Sequence, residues 1–168
     1  MQEKLKKKWT VKKIVQEIVS TLLILFVVSM VLNYIRKPDI NENIYSFELN
    51  DSKIDFSDYK DKPLLVHFWA IWCPVCKLEA ANIESVSTTY DVISIAVKSG
   101  SDEALKTFMK EYDLTYTVID DQSGELAKKF NIEAYPTTLI YNGKGELKFT
   151  EVGYSTTLGL KARLELIN

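Results

Sequence analysis

Phe68-Trp69-Ala70-Ile71-Trp72-Cys73-Pro74-Val75-Cys76 decides the reading of this chain. It holds the only two cysteines, two of the three tryptophans, and a proline between the thiols. Leu64, Leu65 and Val66 lead into it as an apolar run, and a helical pattern follows. A near-continuous apolar run of this kind reads as a strand buried on both faces. The dithiol therefore sits where a buried strand ends and a helix begins. The first turn of a helix has unpaired N–H groups and a positive dipole end, so a thiolate there is stabilised and becomes a nucleophile. Pro74 suits the first helical position, which needs no N–H donor. Cys76 lies one turn on, on the side of Cys73, and Cys73 alone is expected at the exposed tip.

Other uses of two cysteines fit less well. A structural zinc site needs four ligands, and the chain has two Cys and one His. A purely structural disulfide over so short a loop removes little chain entropy. No metal or organic cofactor is implied.

Working towards the N-terminus, Tyr45-Ser-Phe-Glu-Leu and Lys53-Ile-Asp-Phe alternate around Asn50-Asp51-Ser52, a hairpin signal. Asp58 to Pro63 is a second turn. Before these lies an uncharged apolar segment, Ile18–Ile35, extended backwards by Ile14 and Val15. About 20 apolar residues cross a bilayer core. Residues 1–13 carry six lysines against one glutamate, a net of +5, which leaves −7 for the rest of the chain. The positive-inside tendency then keeps the N-terminus in the cytoplasm and the remainder outside. The apolar core is long for a cleaved signal, no small-x-small site follows, and no nearby cysteine suits lipoprotein processing. The chain is thus expected to comprise a basic arm (1–13), a transmembrane anchor (14–35), a linker (36–43) and a domain (44–168). An acidic domain argues against a nucleic-acid partner.

Working towards the C-terminus, the helix after Cys73 carries Leu78, Ala80, Ile83 and Val86 as apolar positions towards Tyr90, with Glu79, Asn82 and Glu84 polar. Val92–Val97 reads as a strand, Ser101 as an N-cap, and Ala104, Leu105, Phe108 and Met109 as a helix face. Thr115–Ile119 reads as a strand, Asp120 to Gly124 as a turn, and Glu125–Phe130 as a short helix. Leu139–Tyr141 forms a strand behind Pro136, and Asn142 to Gly145 a hairpin turn. Glu146–Val152 is an edge strand. Thr156–Ile167 closes the chain as a helix with Leu158, Ala162 and Leu166 inward. The β-α-β-α order indicates an open α/β sheet.

Trp72-Cys73-Pro74-Val75-Cys76, with Val66-His67-Phe68-Trp69-Ala70 before it, resembles the active-site segment of the thioredoxin superfamily. The anchor, the hairpin and the Trp-Cys-x-x-Cys-x-x-Glu pattern ending at Glu79 resemble its TlpA-like branch. Within that branch they resemble the membrane-anchored disulfide oxidoreductases of the suppressor-for-copper-sensitivity D type. The resemblance covers about residues 44–168. It implies a thioredoxin-like α/β fold with a mixed central sheet, the N-terminal hairpin, and a central αβ insertion at Ser101–Ile119. It implies that Cys73 attacks and Cys76 resolves, and that Glu79 lines the active-site cavity. It also implies that Pro136 is cis against the dithiol, with Tyr135 presenting its backbone to substrate.

Two positions depart from the superfamily pattern. His67 stands where thioredoxins often carry a buried Asp, and Ala81 stands where many relatives kink the helix with proline. His67 is either a base for proton exchange behind Cys76 or a hydrogen-bonded core imidazole. Glu79 is either a cavity carboxylate or part of a solvated helix face.

The function expected is thiol–disulfide exchange with protein thiols or disulfides outside the bacterial inner membrane, favoured in the reductase direction. The resemblance implies a transmembrane reductase of the disulfide-reducing D type as electron donor. Alternatives are a thiol reductase serving cytochrome c maturation, or a non-catalytic thioredoxin-like module that binds a peptide or Cu(I) through Cys73 and Cys76.

Overall fold

The computed structural model describes residues 11–35, 40, 46–49 and 52–167. The chain forms two compact units, Met1–Arg36 and Lys37–Asn168. In the first, α1 is one continuous helix of 25 residues, Val11–Ile35. Its side chains at Val15, Ile18, Val19, Leu22, Leu23, Leu25 and Val28 are exposed. Among the described residues no helix is long and apolar enough to cross a membrane. The side chains of residues 29–35 lie outside the described residues, as do residues 1–10, most of the expected basic arm. All of the expected linker lies outside them too, apart from Ile40.

The second unit opens with the expected hairpin, β1 (Ser46–Leu49) antiparallel to β2 (Ser52–Asp55), with Leu49 opposite Ser52. A 3-10 turn over Phe56–Tyr59 leads to β3 (Leu64–Trp69). The chain continues through α2 (Pro74–Ser87), β4 (Asp91–Val97), α3 (Asp102–Glu111), β5 (Val118–Asp121) and α4 (Glu125–Lys129). It closes with β6 (Thr137–Tyr141), β7 (Leu147–Val152) and α5 (Thr157–Leu166).

The main sheet has the strand order β5-β4-β3-β6-β7. Pairing is parallel in β3–β4 and β4–β5, and antiparallel in β3–β6 and β6–β7, so the sheet is mixed. All six residues of β3 are buried, as its apolar run requires of a central strand. Side chains alternate along it. Val66 and Phe68 face one core with Ile93, Ile95, Leu139 and α4's Leu126. Leu65 and Trp69 face the other with Ala80 and Ile83 of α2, Phe108 of α3 and Leu160 of α5. Ile40 and Phe56 pack into the first core.

Three local expectations are corrected. β5 starts at Val118, not Thr115, because the Thr115 backbone N–H donates to the Glu84 carboxylate at 2.8 Å rather than to a strand. The strand runs on through Asp120 and Asp121, the start of the expected turn. Asp121 is fully buried, and its Oδ2 accepts from the Ala127 N–H, at 3.0 Å, in α4. The last helix is rotated from the expected phase: Leu160 and Leu164 are buried, while Leu158 is 80% and Leu166 77% exposed, and Ala162 is exposed. Either stripe recurs at i and i+4, so periodicity alone does not choose between them.

Candidate active site

Ala70-Ile71-Trp72 carries the chain from the end of β3 to Cys73, which caps α2. The Cys73 N–H donates to the Ala70 carbonyl at 3.1 Å, closing a tight turn. Cys73 and Cys76 form a disulfide, with Cα atoms 5.3 Å apart. The Cys76 N–H donates to Cys73 Sγ at 3.2 Å, so the sulfur occupies the N-cap acceptor position. In the reduced protein the same N–H and the helix dipole favour a Cys73 thiolate. Pro74 takes the first helical position, as expected. Cys73 is not an exposed tip: it is 5% exposed and Cys76 2%.

The wall over Cys73 comes from the far end of the sequence. The Tyr135–Pro136 peptide bond is cis. The Tyr135 carbonyl lies 3.6 Å from Cys73 Sγ. Pro136 is buried, and its carbonyl accepts from the Gly153 N–H at 2.8 Å. The Tyr135 ring meets Trp72 edge-on, with centroids 5.7 Å apart. Trp72 is 57% exposed, and its Nε1–H donates to the Lys98 carbonyl at 3.1 Å. Ser99 Oγ accepts from the Ile71 N–H at 3.2 Å. The loop after β4 thus holds the turn that carries the dithiol.

Behind the dithiol lies a buried polar layer. Glu79 is on the buried face of α2 with Cys76 and is 0% exposed, which removes the solvated-face alternative. Its neighbour Leu78, expected on the apolar face, is 72% exposed instead. Glu79 Oε1 accepts from the Ser155 N–H at 2.8 Å. Its Oε2 is buried, has no hydrogen-bond partner among the described residues, and lies 4.0 Å from His67 Nε2. Burial raises the Glu79 carboxyl to about 7, against the opposing pull of the Ser155 hydrogen bonds. Burial lowers the His67 imidazole to about 3. His67 is therefore neutral near neutral pH and a weak base, and Glu79 is the group poised to exchange a proton there. His67 Nδ1 pairs with Thr138 Oγ1 at 2.9 Å, so the ring is hydrogen-bonded within the core.

The expected residues fall into two groups. Trp72, Cys73, Tyr135 and Pro136 meet on one side of the sulfurs, and Glu79 and His67 meet beneath them. Ser155, Thr138, Ser94 and Tyr116 complete the buried layer and were not singled out from sequence. Strand pairing carried a signal for two of them. Ser94 of β4 and Thr138 of β6 both stand opposite His67 of β3. A polar residue at the same register in each of three adjacent strands marks a polar row across the sheet. Ser94 Oγ accepts from the Trp69 Nε1–H at 2.7 Å.

A mixed sheet, a Cys-x-x-Cys disulfide at a helix start and a cis-proline against it define a thioredoxin-like protein. The chain belongs to the AhpC/TSA family, whose pattern spans residues 40–150. It is 29% identical over 160 residues to a thioredoxin-like protein of Haemophilus influenzae, covering 92% of this chain and 95% of that one. It is 29% identical over 116 residues to the thiol-disulfide oxidoreductase ResA of Oceanobacillus iheyensis, covering 66% of this chain and 60% of that protein. The crystal structure of StoA from Bacillus subtilis is similar with a TM-score of 0.56 at 28% identity, over 71% of this chain and 93% of that one. This chain is a thioredoxin-like protein disulfide oxidoreductase, and its substrates are protein thiols or disulfides.

Proposed function

We propose that this protein is a membrane-anchored thiol:disulfide oxidoreductase of the bacterial inner membrane. Its domain would lie outside the cytoplasm and work in the reducing direction. The observation that carries the chemistry is the Cys73–Cys76 pair at the start of α2, with the Cys76 N–H on Cys73 Sγ. The Cys73 thiolate attacks a substrate disulfide and forms a mixed disulfide. Cys76 then attacks Cys73 Sγ, releasing the substrate thiol and closing the disulfide. The carbonyl of Tyr135 beside Cys73 offers a backbone acceptor for an extended substrate segment. The anchor rests on the uncharged run Ile18–Ile35 and the lysines before it. The reducing direction and a donor of the disulfide-reducing D type rest on the TlpA-like resemblance.

Insulin reduction tests the exchange, with Cys73→Ser as control. Wild type accelerates precipitation of the reduced insulin chain and Cys73→Ser does not. Equal inertness of both, together with no action on scrambled disulfides, sinks the proposal of exchange. The reduction potential tests direction. A value near −120 mV, like that of the strong oxidant DsbA, overturns the reductase assignment. Cysteine labelling that finds residues 38–168 in the cytoplasm overturns the location.

A further inference from the structure

Glu79 Oε2 and His67 Nε2 face each other across 4.0 Å, and their side chains are 0% and 3% exposed. Each group is held from its other end. Ser155 N–H fixes Glu79 Oε1, and Thr138 Oγ1 meets His67 Nδ1. In the tautomer in which Nδ1 accepts from the Thr138 hydroxyl, the ring's single proton is on Nε2, facing a carboxyl oxygen that has no hydrogen-bond partner among the described residues. We propose that His67 is a positioning residue for disulfide exchange, its Nε2–H closing onto Oε2 to stabilise Glu79 in the ionised form. A hydrogen bond to a carboxylate is roughly twice as strong as one to a neutral carboxyl, so the imidazole favours ionisation. A buried carboxylate left without that donor is strongly disfavoured.

The inference rests on the exchange reaction proposed above and concerns its resolving step. In the mixed disulfide, Cys76 passes its thiol proton to the Glu79 carboxylate, one turn along α2. The Cys76 thiolate attacks Cys73 Sγ, and the Cys73–substrate S–S bond breaks as Cys73–Cys76 forms. The substrate leaves with the electron pair as a thiolate and takes up a proton. Substrate sulfur is reduced by two electrons and the dithiol is oxidised by two. His67 gains and loses no proton. It sets how readily Glu79 is ionised before the step begins.

Among the described residues, few titratable groups surround the pair. Cys76 faces it from α2. Tyr116, from the segment before β5, feels the Glu79 charge and is itself raised, chiefly by burial. In the oxidised full chain neither cysteine titrates, so Glu79 can be followed alone by NMR of its labelled carboxyl carbon. His67→Asn keeps a side-chain amide near Thr138 but withdraws the Nε2 donor. His67→Gln places its amide nitrogen where Nε2 stood.

The His67→Asn variant is expected to raise the Glu79 midpoint by about one pH unit. His67→Gln leaves it within about a third of that shift of wild type. Thr138→Val, which removes the hydroxyl that fixes the tautomer, raises it by a smaller amount and serves if His67→Asn does not fold. The pH profile of insulin reduction by the reduced enzyme moves in the same sense. No shift in His67→Asn and Thr138→Val, or equal shifts in His67→Asn and His67→Gln, overturns the role of His67. An inert wild type with a normal Glu79 response overturns the exchange reaction instead.

Discussion

Cys73 and Cys76 differ in what surrounds them, and that difference supports the order of attack proposed for them. Cys73 Sγ accepts an N–H from the first turn of α2 and lies against the Tyr135 carbonyl. Cys76 lies deeper, one turn from Glu79 on the buried side of the helix. The first environment favours a thiolate that meets substrate, and the second favours a thiol that waits for a base. Cys76→Ser is therefore expected to accumulate a covalent Cys73–substrate adduct, visible as a mass increase that a reductant removes. Cys73→Ser accumulates none. Adducts of equal yield on both variants would reverse or dissolve the assignment.

Sequence and structure part at the ends of β5 and in the phase of the helices, and α5 shows why. Leu158, Ala162 and Leu166 form one i, i+4 stripe, and Leu160 and Leu164 another, so a helical period fits either. Contact with α2 buries the second. Leu160→Ala is expected to cost about 2–5 kcal/mol and Leu158→Ala no more than about 0.5 kcal/mol, read from urea midpoints. Equal losses would restore the first phase. The strands were more legible, because a buried strand needs only a run of apolar residues. β3 has the limits its run predicts. The dithiol turn was legible from two cysteines and a proline. Of the buried layer, the resemblance pointed to Glu79 and His67 but not to their partners: the Ser155 N–H that holds Glu79 comes from 76 positions away in sequence. Long-range partners of that kind leave no local pattern.

Across the whole domain, His67 and Glu79 give opposite pH dependences. Glu79 moves from an ordinary 4.5 to about 7 on folding, so its contribution is complete below 4.5 and lost as pH rises through 7. His67 moves from 6.5 to about 3, so its contribution is complete above 6.5 and lost as pH falls through 3. Between 4.5 and 6.5 both groups act with opposed slopes of about 1.4 kcal/mol per pH unit, and they cancel. The pair therefore contributes a flat maximum over that range. Removing Glu79 by Glu79→Gln leaves the rising His67 slope alone, so the urea midpoint of the variant rises relative to that of wild type with pH across the plateau. A difference that stays constant with pH would show that the pair does not shape the profile.

The antiparallel pairing of β3 with β6 has a consequence in time as well as in space. The end of β3 delivers the dithiol, the start of β6 delivers Pro136, and the two meet only because the strands run in opposite directions. Tyr135 follows Cys73 by 62 positions. A chain made from its N-terminus therefore carries both thiols well before the strand that walls them exists. Until β6 docks, the pair lacks both the Tyr135 carbonyl beside Cys73 and the Thr138 contact on His67. The site is thus complete only when the sheet is.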